Sequence, residues 1–173
     1  TTNCVSAFPL NCIDKCSFGA TEDQDSGKQQ QHCHSSGTGK IQRAEIGGPV
    51  EDLILNQNHS KLGFAADFDS GTLHWAHKDG STWRIRRADL DGTGQANLIQ
   101  IGSREIDGIA VDSTGGKIYW GEFESQGLLA SRIRSAELDG SQVSTLVPGL
   151  ADPVGIALDT AAGKIYWADP IFV

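Results

Sequence analysis

Gly155-Ile156-Ala157-Leu158-Asp159-Thr160-Ala161-Ala162-Gly163-Lys164-Ile165-Tyr166-Trp167 decides the fold, because the chain contains the phrase three times. It occurs earlier as Gly108-Ile109-Ala110-Val111-Asp112-Ser113-Thr114-Gly115-Gly116-Lys117-Ile118-Tyr119-Trp120. A worn copy runs Gly63-Phe64-Ala65-Ala66-Asp67-Phe68-Asp69-Ser70-Gly71-Thr72-Leu73-His74-Trp75. In each copy a Gly follows the Asp by four places and a Trp follows it by eight.

The spacing of the copies sets the architecture. Asp67 to Asp112 is 45 residues and Asp112 to Asp159 is 47. A second phrase recurs in step, as Ile41-Gln42-Arg43-Ala44-Glu45-Ile46, Ile85-Arg86-Arg87-Ala88-Asp89-Leu90 and Ile133-Arg134-Ser135-Ala136-Glu137-Leu138. Short β-branched runs separated by Gly and Asp, repeating with a period in the forties and a Trp in each copy, predict propeller blades of four strands. Helical arrays share the period but need long runs of apolar spacing near 3.6, which are absent. The expected class is all-β.

Calling the strands of a blade A to D from the central axis outward, Gly-Ile-Ala-x-Asp is A and Lys-Ile-Tyr-Trp is B. Ile-Arg-x-Ala-x-Leu is C, and the apolar pairs Leu53-Ile54, Leu98-Ile99 and Leu146-Val147 mark D. Gly47-Gly48, Asp91-Gly92 and Asp139-Gly140 are hairpin turns, where Gly supplies the positive φ. The chain therefore reads C-D, A-B-C-D, A-B-C-D, A-B: three blades' worth of strands, with a half-blade at either end. Bare strand edges invite association. The expectation is half of a six-bladed ring, completed by a second chain head to tail as a homodimer. The alternative is that the other half belongs to the remainder of a longer chain.

Composition narrows the setting. Gly makes up 21 of 173 residues, above the usual share of about 7%, as frequent tight turns require. With 22 acidic and 14 basic side chains the net charge is −8, and no basic stripe exists to hold nucleic acid or an anionic membrane. No apolar run is long enough to span a bilayer. The sequence starts Thr1-Thr2-Asn3 and lacks Met, so removal of the starting Met together with a signal peptide is expected. Cys4, Cys12, Cys16 and Cys33 crowd a polar segment and predict two disulfides in one of three pairings. The competing reading is a metal site using His32-Cys33-His34 with Cys12 and Cys16, but adjacent ligands rarely converge on one tetrahedral ion. Asn58-His59-Ser60 is a glycosylation sequon. Together these predict a secreted glycoprotein, with residues 1–37 a disulfide-pinned extension and 38–173 the repeats.

Ile118-Tyr119-Trp120-Gly121-Glu122 and Ile165-Tyr166-Trp167-Ala168-Asp169, with Arg87-Ala88-Asp89-Leu90-Asp91-Gly92 between blades, resemble the class B repeats of the low-density lipoprotein receptor, the YWTD repeats. The resemblance covers residues 41–169. It implies six-bladed propellers of extracellular proteins that bind protein ligands or act in pH-dependent release, and that are generally not enzymes. The chain departs from the pattern: the Thr of Tyr-Trp-Thr-Asp is Ala76, Gly121 and Ala168, while the Asp is His77, Glu122 and Asp169. His74 stands where the first copy should have Tyr. The resemblance therefore implies that some side-chain hydrogen bonds between neighbouring blades are missing.

Trp75, Trp120 and Trp167, repeated once per blade, suit packing between blades. Asp67, Asp112 and Asp159 end strand A, where a carboxylate accepts backbone N–H bonds of the following turn. Asp89-Leu90-Asp91-Gly92-Thr93 lacks the remaining ligands of a calcium loop and reads as a hairpin. His74 and His77, three apart on a strand, face opposite sides and do not share an ion. There is no nucleophile elbow or phosphate cradle, and no cofactor or metal is expected.

Function is expected on the D-to-A and B-to-C links, which share one mouth of the ring. These links are expected to span 56–61, 76–82, 101–107, 121–130 and 148–153. Gly121-Glu122-Phe123-Glu124-Ser125-Gln126 is the longest insertion and combines an aromatic, carboxylates and an amide, which suits a sugar or a basic peptide. The candidate ligand residues are His77, Asp79, Arg104, Glu105, Glu122, Phe123, Glu124, Gln126 and Asp152. The functional expectation is a non-catalytic, lectin-like protein binding a glycan or protein, bivalent as a dimer. The alternatives are a filament built by half-blade exchange and a six-bladed enzyme of lactonase or synthase type.

Overall fold

The fold is seen in a computed structural model whose described residues are 39–57, 63–125, 127 and 129–170. Cys4, Cys12, Cys16, Cys33, His32, His34, Asn58 and Gln126 lie outside them. The described residues form twelve strands. These are β1 (Gly39–Ala44), β2 (Val50–Gln57), β3 (Phe64–Asp67), β4 (Thr72–Asp79), β5 (Thr82–Asp89), β6 (Ala96–Gly102), β7 (Glu105–Asp112), β8 (Lys117–Phe123), β9 (Ser131–Glu137), β10 (Ser144–Leu150), β11 (Val154–Asp159) and β12 (Lys164–Ala168).

They pair as two complete antiparallel blades, β3-β4-β5-β6 and β7-β8-β9-β10, flanked by the two-stranded sheets β1-β2 and β11-β12. This is the C-D, A-B-C-D, A-B-C-D, A-B order expected from the phrases. Each A-to-B turn is built alike. Asp67 Oδ1 accepts N–H bonds from Asp69 and Ser70 (both 3.1 Å), Asp112 Oδ1 one from Gly115 (2.8 Å) and Asp159 Oδ1 one from Ala162 (2.9 Å). Gly71, Gly116 and Gly163, four residues after each Asp, close the turn with φ of 72°, 69° and 63°, a region that costs any other residue about 1–2 kcal/mol.

The core lies between blades. Trp120 and Ile118 of β8 pack with Ile106, Ile109 and Ala136 against Ala76, Trp83, Ile85 and Ile99 of the preceding blade. Trp75, Leu73 and Ala88 pack likewise against Ile41 and Ile54 of the first half-sheet. Trp75 and Trp120 are fully buried, as their once-per-blade recurrence predicts, and Trp167 is half-buried. Trp83, which the repeat phrases do not single out, is also fully buried.

The links are shorter than expected, because strands run on into them. His77 pairs with Arg84 and Asp79 with Thr82, so both belong to β4 and its hairpin rather than to a loop spanning 76–82. Glu105 pairs with Phe123 and Glu122 with Arg132, which places all three candidates, Glu105, Glu122 and Phe123, on strands. Between β6 and β7 only Ser103 and Arg104 are left to make the link.

His74 is buried on β4, and its Nδ1 has no hydrogen-bond partner among the described residues. Burial holds its pKa below the ordinary 6.5; the Asp67 charge opposes this and the Arg87 charge adds to it. The folded state thus resists a proton that the unfolded chain accepts, so stability falls as pH drops from about 6.5 toward the lowered folded value. A His74→Phe variant is expected to lose less stability than the parent between about pH 7 and 5, measured as urea midpoints across that range.

Candidate functional site

The mouth carrying the B-to-C and D-to-A links is best defined around the second complete blade. Arg104, in the short link before β7, donates from Nη1 to the Ala130 carbonyl (2.8 Å), and its Nη2 lies 3.5 Å from Glu124 Oε2. Glu124 N donates to Ser131 Oγ (3.1 Å), and Ser131 Oγ donates to the Ala151 carbonyl (2.8 Å) in the next link. The Asp169 carboxylate accepts from Ala151 N (3.1 Å) and Asp152 N (2.7 Å), fixing that link in turn. Asp169 is the residue that keeps the Asp of the repeat pattern, and it ties strand β12 to the connection preceding its own blade. One polar chain therefore runs from Arg104 to Asp169 across two blades, with Phe123 and Glu105 paired beside it.

Of the expected ligand residues, Arg104, Glu105, Phe123, Glu124 and Asp152 are brought together along this chain. His77 and Asp79 sit on the neighbouring blade, where Asp79 Oδ2 binds Arg84 Nη1 at 2.8 Å. Burial lowers the His77 pKa; the Arg86 charge reinforces this, Asp79 opposes it, and Arg84 lowers it further. Phe123 and Glu124 are partly buried rather than projecting. Asp152 Oδ1 is buried without a hydrogen-bond partner among the described residues.

Glu122 must be withdrawn from the site. It is 0% exposed, and its carboxylate accepts from Trp120 Nε1 (2.9 Å), Arg132 Nε (2.7 Å) and Arg134 Nη1 (3.3 Å). Arg134 lies over the Trp120 ring at 5.9 Å, as Arg86 lies over Trp75 at 5.4 Å. The polarity of Glu122 points to a link, whereas its pairing with Arg132 places it on a strand inside this cluster. Laying strand B antiparallel to strand C would have found it, since that register sets Glu122 opposite Arg132 and Trp120 opposite Arg134.

The fold and the site can be compared with known proteins. No family model matches the chain. Protein cueball of Drosophila willistoni is 30% identical over 94 residues, 54% of this chain and 14% of the relative. A chain solved in a crystal structure of a nidogen/laminin complex superposes with a TM-score of 0.66 at 27% identity, over 75% of this chain and 48% of that one. The repeats are YWTD β-propeller repeats. A putative TolB from Agrobacterium tumefaciens (TM-score 0.54, 15% identity, 74% of this chain and 48% of that one) shares the fold alone. The chain thus spans about half of the solved YWTD-type chain it matches and a seventh of the curated relative. Within the YWTD pattern, Asp169 keeps its tie to the link backbone, whereas Glu122 turns inward to two arginines.

Proposed function

We propose that this chain is an extracellular, non-catalytic protein-binding module whose ligand lies across the mouth marked by Arg104, Glu105, Phe123, Glu124 and Asp152. The observation that carries the reading is the 27% identical match, over three-quarters of this chain, to a chain solved in a nidogen/laminin complex. The local chemistry supports it. A half-buried aromatic between two carboxylates, with a guanidinium braced at 2.8 Å by a backbone carbonyl, offers a preorganised surface for a polar or basic peptide. The same combination favours a second reading, a glycan whose ring face stacks on Phe123 while its hydroxyls meet Glu105 and Glu124. The cysteine-bearing residues 1–37 belong with secretion in this reading. A second copy completes the six-bladed ring, so that each site is displayed twice.

The test sets a panel of extracellular protein domains, laminin among them, beside a glycan array, with wild-type chain and an Arg104→Glu variant as probes. Binding of a protein domain that Arg104→Glu weakens by about tenfold or more supports the first reading, since interfacial charge pairs carry effects of this size. A response confined to glycans gives the second. Binding to neither, or binding indifferent to Arg104, overturns the site.

A further inference from the structure

The two complete blades share one cross-strand register but fill one place in it differently. In the second blade Glu122 faces Arg132 and Trp120 faces Arg134. In the first, His77 faces Arg84 and Trp75 faces Arg86. His77 thus stands where Glu122 stands, and Arg84 and Arg86 are the counterparts of Arg132 and Arg134. The second blade carries its own carboxylate between its two arginines, whereas the first has an imidazole there.

We propose that the place beside His77, Arg84 and Arg86 is a binding site for a carboxylate brought by another molecule. It is on the neighbouring blade to Arg104, Glu105, Phe123, Glu124 and Asp152, and it stands whether or not those residues bind a ligand.

The second blade shows what such a place holds when filled. Glu122 accepts from Arg132 Nε at 2.7 Å and from Arg134 Nη1 at 3.3 Å, while Arg134 lies over Trp120 at 5.9 Å. Arg86 lies over Trp75 in the same way, at 5.4 Å. The Nε atoms of Arg86 and Arg134 are both buried without a hydrogen-bond partner among the described residues, so the blades differ in the carboxylate alone. Arg134 has Glu122, and no carboxylate of the described residues pairs with Arg86. A guanidinium partly withdrawn from water without a counter-charge is unfavourable.

The carboxylates of the surrounding elements are engaged elsewhere. Asp52 binds Lys40 and Glu51 binds Arg43, each at 2.9 Å, and the preceding sheet β1-β2 meets this blade through Ile41 and Ile54. Residues 56–62 include no Asp or Glu. Asp79 binds Arg84 Nη1 at 2.8 Å, but Asp79 is 65% exposed, and so exposed a pair yields easily to a second acceptor. Burial lowers the His77 pKa, and the charges of Arg86 and Arg84 lower it further against the pull of Asp79. Both guanidinium charges therefore reach His77, as those of Arg132 and Arg134 reach Glu122. Two guanidinium groups converging on one place match a planar carboxylate. A free acid and the Asp or Glu side chain of a peptide present the same group.

The test is a nuclear magnetic resonance titration of the full chain, reading the Nε–H signals of Arg84 and Arg86. The probes are sodium acetate and a capped Gly-Glu-Gly peptide, set against sodium chloride and capped Gly-Gln-Gly at equal ionic strength. Saturable shifts with acetate and the Glu peptide, absent with chloride and the Gln peptide, are expected. A peptide that binds about tenfold tighter than acetate identifies a peptide side chain as the ligand, and equal or weaker binding identifies a small free acid. Arg86→Gln, which also assigns its signal, is expected to weaken binding read at Arg84 by about tenfold or more. His77→Glu places a carboxylate where the second blade has one and is expected to abolish the shifts, because a tethered group outcompetes a free one. Circular dichroism checks that both variants keep their β structure, and the wild-type titration decides the matter without them. Signals that do not saturate, that answer the Gln peptide equally, or that survive in a folded His77→Glu variant overturn the site.

Discussion

Replacing Glu122 by Ala is expected to lower the unfolding free energy by about 3–5 kcal/mol, the cost of breaking a buried ion pair from one side. The size follows from what is left behind. Glu122 is fully buried and supplies the acceptor for Trp120 Nε1, Arg132 and Arg134. Arg134 Nε already has no hydrogen-bond partner among the described residues, so the variant leaves two guanidinium groups and an indole N–H without their common acceptor. Glu122→Gln keeps the shape and one carbonyl acceptor and is expected to lose about half as much, near the 1–3 kcal/mol of a single unsatisfied buried group. Urea unfolding of the three proteins, followed by Trp fluorescence, measures the series. A Gln variant as unstable as Ala would show that the charge alone matters, a Gln variant as stable as the parent would show that it is irrelevant, and parent-like stability of both would show that the cluster contributes nothing.

That cluster also marks where sequence reading stopped. The order of strands was legible because the phrases repeat, and each phrase carries its own physical cause. The Gly four residues after each Asp closes the turn with positive φ, and the Trp eight residues after it fills the gap to the preceding blade. The ends of strands were not legible, because nothing local stops them. β4 runs to Asp79 since Lys78 and Asp79 find partners in Trp83 and Thr82, and β8 runs to Phe123 since Glu122 finds Arg132 and Phe123 finds Glu105. Polarity alone pointed to a loop at Glu122, and cross-strand partners overrode it. Trp83 is illegible for a related reason: it occurs in one blade only, so repetition does not mark it. The candidate mouth was legible in part, because Arg104 lies in a D-to-A link and Phe123 and Glu124 lie at a B-to-C link, and both kinds of link open at one mouth. The contribution of Ser131 and Asp169 to that mouth depends on contacts made by the following blade.

Gly140→Ala is expected to destabilise the chain by about 2–5 kcal/mol, and Gly116→Ala by only about 1–2 kcal/mol, although both sites have positive φ. Gly116 has φ +69° with nothing within 4 Å of an added Cβ, so its variant suffers backbone strain alone. Gly140 has φ +86°, and a Cβ there would lie 2.6 Å from the Leu98 carbonyl oxygen of the preceding blade. Gly92 repeats the arrangement one blade earlier, with φ +83° and 2.5 Å to the Leu53 carbonyl oxygen. A backbone oxygen cannot swing aside as a side chain can, so relief requires the whole hairpin to move from its neighbour, opening the packing that holds the Trp residues. Guanidinium unfolding of Gly140→Ala, Gly92→Ala, Gly71→Ala and Gly116→Ala separates the two effects. The excess loss at 92 and 140 over 71 and 116 is the energy of holding one blade against the next, and equal losses at all four would mean that blades shift freely to admit a methyl group.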